Sequence, residues 1–285
     1  MPVPAPEGPI AALCLLDGVI GLGLAGAPPG QTLETMLVAS DDARQGDLLL
    51  PSLQRLLDDA GVPRNALSGI AFDAGPGGFT RVRVACAVAQ GVALGLALPV
   101  GCFDSLVLGA RTAHRQVAGE AHGRWLILVL EDARMGEVYA AGFVCEGSDR
   151  AGESLLQPLG EPSMFRYEAL AEWLVERVAG PGPTAAAGAA GLVLAGSGWD
   201  RLLPGSAQAD EGLAQRLREA VPATASFERI VDAAHPDPLL RVQTLAGAAR
   251  AHAQWLPPEQ ARPIYLRNKV ALDIHEQAAA RAQRG

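Results

Sequence analysis

Apolar positions fall into short runs with turn residues between them. IAALCLL (Ile10–Leu16) and VIGLGLA (Val19–Ala25) flank Asp17-Gly18, a pair that predicts a β-hairpin. TMLVA (Thr35–Ala39) supplies a third strand. From Gly46 the spacing changes to that of a helix: Leu49, Leu53, Leu56, Leu57 and Ala60 share one face, Asp47 stands near the start and Gly61 follows as a stop. Pro51 is tolerable there only in a first turn. SGIAFDAG (Ser68–Gly75) reads as a fourth strand. A glycine loop then leads into a helix over about Phe79–Leu96, and LPVGC is a fifth strand.

The second half offers a similar series. WLILVLE (Trp125–Glu131) and EVYAAGFVC (Glu137–Cys145) form a hairpin pattern. YEALAEWLVERVAG (Tyr167–Gly180) is amphipathic, with Leu170, Trp173, Leu174 and Val178 on one face. GLVLAGSG (Gly191–Gly198) reads as a strand ending in a glycine turn, and Glu211–Ala220 as a helix. Two consecutive mixed α/β units predict a duplicated fold of the ribonuclease-H-like, actin-like kind. The expected division is a first lobe from 1–104 plus about 238–275, and a second from 105–237, with GPGPTAAAGAAG (180–191) as a low-complexity insertion.

Composition narrows the function classes. Of 285 residues, 49% are hydrophobic, enough for a sizeable core. The net charge of −8 argues against gripping a nucleic-acid backbone unaided, because that needs a basic surface. Cys14, Cys86, Cys102 and Cys145 are far apart and form no C-x-x-C pair, which fits reduced core cysteines of a cytoplasmic protein. The start of the chain has no positive charge before its apolar stretch and makes a poor signal peptide. Val84–Phe103 is uncharged and long enough to span a bilayer. Its alanines and glycines gain little from lipid, so a helix buried in protein, then a strand, is expected.

Candidate chemistry is sparse. Free N–H groups at the helix start after Gly75–Thr80 could hold phosphate. A Walker-type loop also needs a lysine on the phosphates, and the single lysine, Lys269, lies far down the chain. The plainer account is that the glycines permit a sharp turn and close packing, with Thr80 or Gly78 capping the helix. His114, His122, His235, His252 and His275 form no metal-binding pair, and Ser197 lacks a G-x-S-x-G context. Asp132 and Gly136 suit a turn in EDARMGEVY; an acidic residue in such a hairpin could instead handle a metal-bound phosphate. Ala87, Gly91 and Gly95 recur every four residues and form a strip that another helix could approach, inside the fold or in another subunit.

Four stretches together resemble the bacterial TsaB (YeaZ) family. They are Ala71–Val100 with its glycine loop and small-residue helix, LEDARMGEVYAA (Leu130–Ala141), RPIYLRNKVA (Arg262–Ala271) and LLLPSLQRLLDDAG (Leu48–Gly61). There are departures. The family's aspartate-threonine turn is replaced by LLDGVIG, its loop serine by Gly78 and its second loop glycine by Arg81. The resemblance implies two ribonuclease-H-like lobes with mixed sheets flanked by helices. It implies a noncatalytic subunit in making threonylcarbamoyladenosine in tRNA, paired with a TsaD-like subunit and joined by a TsaE-like ATPase. tRNA would be met only through the complex. A homodimer is the alternative pairing, and no membrane is involved. Leu49, Leu53, Leu56, Phe79, Val82, Cys86, Ala89 and Ala93 are the expected interface residues. No cofactor is expected in the isolated chain, and ATP or ADP only at a partner interface. A rival reading is an actin-like ATP-dependent enzyme using Asp132 for magnesium and Gly196 and Gly198 near adenosine.

Overall fold

The structure is a computed structural model describing residues 2–26, 32–41, 44–117, 124–148, 154–179, 189–202, 229–233 and 237–266. It contains two mixed sheets of six strands each. In the first, β1 (Ile10–Leu16), β2 (Val19–Ala25) and β3 (Thr32–Ala39) run antiparallel in sequence. β4 (Gly69–Asp73) adds parallel to β1, and β5 (Val100–Phe103) parallel to β4. The second sheet repeats this plan. β6 (Arg124–Arg134), β7 (Glu137–Ser148) and β8 (Ser154–Pro158) are antiparallel. β10 (Ala189–Ala195) lies parallel to β6, and β11 (Arg229–Ala233) parallel to β10. Spatial order is β3-β2-β1-β4-β5 in one and β8-β7-β6-β10-β11 in the other, the duplicated plan of the actin-like fold. Two short strands complete the sheets: β9 (Ser163–Arg166) pairs with β7, and β12 (Gln254–Leu256) with β5.

Strand periodicity explains how each sheet is covered. Along β1, Ala11, Leu13 and Leu15 enter the core on one face, and Ile10, Ala12 and Cys14 the core on the other. The first face is covered by α1 (Gln45–Asp59) and α2 (Phe79–Leu96), and the second by α5 (Pro238–His252). Along β6, Leu126, Leu128 and Leu130 face α4 (Tyr167–Ala179), while Trp125, Ile127 and Val129 face α3 (Ser105–Val117). Both central strands are buried on two faces, hence their continuous apolar runs.

Several expectations change. α1 starts earlier than expected and carries Pro51 in its interior, at an exposed position, rather than in its first turn. α3, β8, β9, β11, β12 and α5 escape the sequence pattern. The helix expected over Glu211–Ala220 lies outside the described residues, as does 180–188 of the expected insertion 180–191, whose last three residues instead open β10. α2 is not a buried helix. It alone, among the described residues, is long and apolar enough to cross a membrane, yet only 22% of it is buried. One face (Val82, Ala85, Cys86, Ala89, Ala93) packs on the sheet and the opposite face is open.

Candidate functional site

Two features converge on the glycine loop: a cleft between the sheets and the open face of α2. The loop follows β4 directly. Gly75 has φ +95°, a conformation that disfavours side chains, and a Cβ there would stand 3.0 Å from the carbonyl oxygen of Ile264. The C-terminal segment is strapped down at this point. Ile264 N donates to Ala74 O at 2.7 Å, and Gln90 Nε2 donates to the carbonyls of Pro258 (2.8 Å) and Ala261 (3.2 Å). Gly78 occupies the N-cap of α2 without a side-chain cap, and Thr80 lies inside the helix.

The three departures from the TsaB pattern meet here. A Cβ on Gly78 would stand 2.9 Å from Arg81 Nε, so the arginine lies over the glycine. Arg81 also pairs with Asp17 at the tip of the β1–β2 hairpin, 3.1 Å away. Where the family has a serine and a glycine, this chain has a glycine and an arginine, and the second fills the space that the first leaves.

The cleft has a volume of about 620 Å³ and takes residues from both sheets. At its floor the Arg241 guanidinium, from α5, reaches carboxylates of both. Its Nη2 and Nε donate to Asp73 Oδ2 at 2.9 and 3.2 Å, and Nη1 lies 3.6 Å from Glu131 Oε1. Ser105 Oγ donates to Asp73 Oδ1 in a short hydrogen bond, and Ser105 O accepts from Arg241 Nη2 at 3.3 Å. Ser197 Oγ donates to Glu131 Oε2 at 2.9 Å. Burial opposes the charge on Arg241, but Asp73 and Glu131 outweigh it and leave the pKa above the ordinary arginine value. Burial, with Asp73 adding to it, pushes the neighbouring Cys14 thiol well above its ordinary value. No local pattern in the sequence marks Arg241, Asp73 and Glu131. The available signal was a lone arginine among the apolar residues of PLLRVQTLAGAA.

At the mouth, Arg134 lies 3.9 Å from Asp17 and 3.6 Å from Asp132, so the hairpin tips of the two sheets meet across the opening. Asp132 Oδ1 accepts the Arg134 N–H at 2.9 Å, the turn role that its position in EDARMGEVY suggested. Gly196 and Gly198 border β6. A Cβ on Gly196 would collide with the carbonyl oxygen of Leu130, and one on Gly198 would come within 2.7 Å of Leu130 Cβ. Their lack of side chains serves packing within the second sheet. Among the described residues no group of three or more His, Cys, Asp or Glu side chains could hold a metal ion.

The predicted interface residues need correction. Leu49, Leu56, Ala89 and Ala93 are wholly buried, and Leu53, Val82 and Cys86 nearly so, all inside the first lobe. A helix on a sheet puts its larger apolar side chains inward, so these cannot also meet a partner. Phe79 alone of the set is exposed. The accessible strip is instead Arg83, Ala87, Gly91 and Gly95, with Leu94 (62% exposed) beside it and Leu50 (52%) on α1. Among the described residues nothing lies within 4 Å of the Cβ positions of Gly91 and Gly95.

Comparison with known proteins bears on the fold and the pathway. A sequence-family model for TsaD, tRNA N6-adenosine threonylcarbamoyltransferase, matches residues 44–172. The tRNA threonylcarbamoyladenosine biosynthesis protein TsaB of Haemophilus influenzae is 40% identical over 98 residues, 34% of this chain and 39% of that protein. Its Escherichia coli counterpart is 38% identical over 95 residues, 33% and 39%. The matched stretch therefore spans 39% of the length of these curated relatives. The solved structure of YeaZ from Pseudomonas aeruginosa superimposes with a TM-score of 0.61 at 29% identity, covering 91% of this chain and all of that one.

Proposed function

We propose that this relative of the TsaB and YeaZ proteins is a noncatalytic subunit in the cytoplasmic synthesis of threonylcarbamoyladenosine in tRNA. In this reading it holds and activates a TsaD-type transferase through the outer face of α1 and α2, and a TsaE-type ATPase joins the pair. The carrying observation is the open face of α2. An 18-residue apolar helix with only 22% of its residues fully buried leaves a smooth exposed strip (Ala87, Gly91, Gly95) against which a second helix can pack closely. The glycine loop then serves to launch this helix.

The test is association of the purified chain with the TsaD-type protein of the same host. Gly91→Arg fills the strip without touching the core, so binding should be lost while the melting temperature hardly moves. Undiminished binding by a folded Gly91→Arg protein removes the proposal.

A second reading, ATP-dependent chemistry in the cleft, has the cleft volume in its favour. Its carboxylates, however, are engaged by Arg241, Arg134, Ser105 and Ser197. Calorimetry of the isolated chain with ATP and magnesium separates the two. The subunit reading expects no tight binding, and a micromolar dissociation constant would favour the enzyme.

A further inference from the structure

Arg83 stands on the outer face of α2, one turn after Phe79. Its guanidinium carbon lies 3.6 Å from the centre of the Phe79 ring and 5.8 Å from that of Tyr265. Its Nε donates to the Tyr265 hydroxyl at 2.9 Å. The two rings have centroids 6.2 Å apart. Tyr265 follows Ile264, whose N–H is bonded to Ala74, and Phe79 is the first residue of α2, so the backbone beneath each ring is held.

The arrangement holds a flexible side chain in one orientation and leaves it unfinished. A guanidinium has five N–H donors, and among the described residues only Nε finds a partner. Around the same loop, Arg81 pairs with Asp17, and Arg134 with Asp17 and Asp132. Among the described residues no carboxylate pairs with Arg83. Phe79 and Tyr265 stay 39% and 45% exposed, so the cluster is an accessible surface. Ordering an arginine costs conformational entropy, and a pre-oriented fork with free donors suits a planar anion bidentately. Arginine and tyrosine are also the side chains on which interface affinity concentrates.

We infer that Arg83, set by Phe79 and Tyr265, is the anchor for an aspartate or glutamate carboxylate on the helix of the partner subunit that covers α2. The inference rests on the interface reading above and adds the chemistry of the partner. A protein carboxylate fits better than a phosphate backbone. Past Arg83 the exposed strip of α2 is Ala87, Gly91, Leu94 and Gly95, none of them a cation; the neighbouring Arg262 donates to the carbonyls of Glu259 and Ala261; and the exposed face of α1 carries Asp47, Asp58 and Asp59 against Arg55. A nucleic-acid track needs repeated positive charge.

The test measures binding of the full chain to the TsaD-type protein at several salt concentrations, with folding of each variant checked by thermal melting. Arg83→Gln should weaken binding about tenfold to a hundredfold, mainly through faster dissociation, and flatten the salt dependence. Arg83→Lys should recover only part, because a lysine lacks the fork. Tyr265→Phe, which frees the guanidinium without removing its charge, should fall between wild type and Arg83→Gln. If Arg83→Gln binds like wild type while Gly91→Arg does not bind, this inference is wrong and the interface stands. If Gly91→Arg and a second strip variant, Leu94→Glu, also bind normally, both are wrong. Loss of tRNA retention by Arg83→Gln with unchanged protein binding would reassign the arginine to RNA and overturn the carboxylate.

Discussion

Arg241 Nη2 lies 2.9 Å from Asp73 Oδ2, and each side chain is only 7% exposed. Asp73 ends β4 in the first sheet. The same guanidinium reaches Glu131 of β6 in the second, 3.6 Å away. One side chain thus bridges a carboxylate from each lobe at the base of the cleft. A charge so deeply buried persists because two carboxylates and the Ser105 carbonyl replace its lost water.

Removing that guanidinium should be costly. Arg241→Met leaves the buried Asp73 without its counter-charge and Glu131 as a second carboxylate on the same cleft floor, at a cost of about 3–5 kcal/mol. Urea unfolding measures it. A change under 1 kcal/mol would mean that water already solvates the pair.

Gly78 and Arg81 should behave as a coupled pair. Gly78→Ser inserts a side chain into the space that Arg81 fills and should destabilise by roughly 1 kcal/mol, and Arg81→Gly loses the ion pair to Asp17. The double variant should be more stable than the sum of the two changes by about 0.5 kcal/mol or more. Strict additivity in denaturation curves would count against the exchange.

Ala87 and Ala89 should separate surface from core. Ala89 has no exposed area, so Ala89→Arg must bury a charge in a packed core and should unfold the chain. Ala87→Arg projects into solvent and should leave the melting temperature nearly unchanged while blocking the partner. Circular dichroism melts of both decide the matter; a folded Ala89→Arg protein would mean that α2 is turned the other way.

Stability should decline in alkali. Burial raises the Cys102 thiol from 9.0 to about 11, against a smaller opposing pull from the Arg262 backbone. A raised folded-state pKa means that the unfolded thiol ionises first. Its contribution is therefore complete below pH 9 and fades as pH rises toward 11, by on the order of 2–3 kcal/mol. Cys86, also raised by burial, acts in the same direction. Cys102→Ala should flatten the slope of unfolding free energy between pH 9 and 11, measured in reducing buffer.

The hairpins, the first two helices and the central strands were legible in the sequence because their signals are local. Asp17-Gly18 specifies a turn through backbone preference, and the runs of β1 and β6 reflect burial on both faces. α3 and α5 were less legible. Both pack against other elements over much of their surface, so their apolar residues show no clean break at the ends.

The candidate site divides the same way. The sequence by itself determined that α2 is a small-residue helix behind a glycine loop, since composition and turn chemistry need no knowledge of neighbours. Only the tertiary structure decided which side of it is open. A helix apolar nearly all round has no polar face to orient it, so the sheet's choice of Val82, Ala85, Ala89 and Ala93 left Arg83, Ala87 and Gly91 outside. Likewise, no local pattern could bring Arg241 to Asp73 and Glu131, or Tyr265 to Arg83. Those meetings arise when the last part of the chain returns across the first sheet, where a buried charge must find its counter-charge and an exposed one need not.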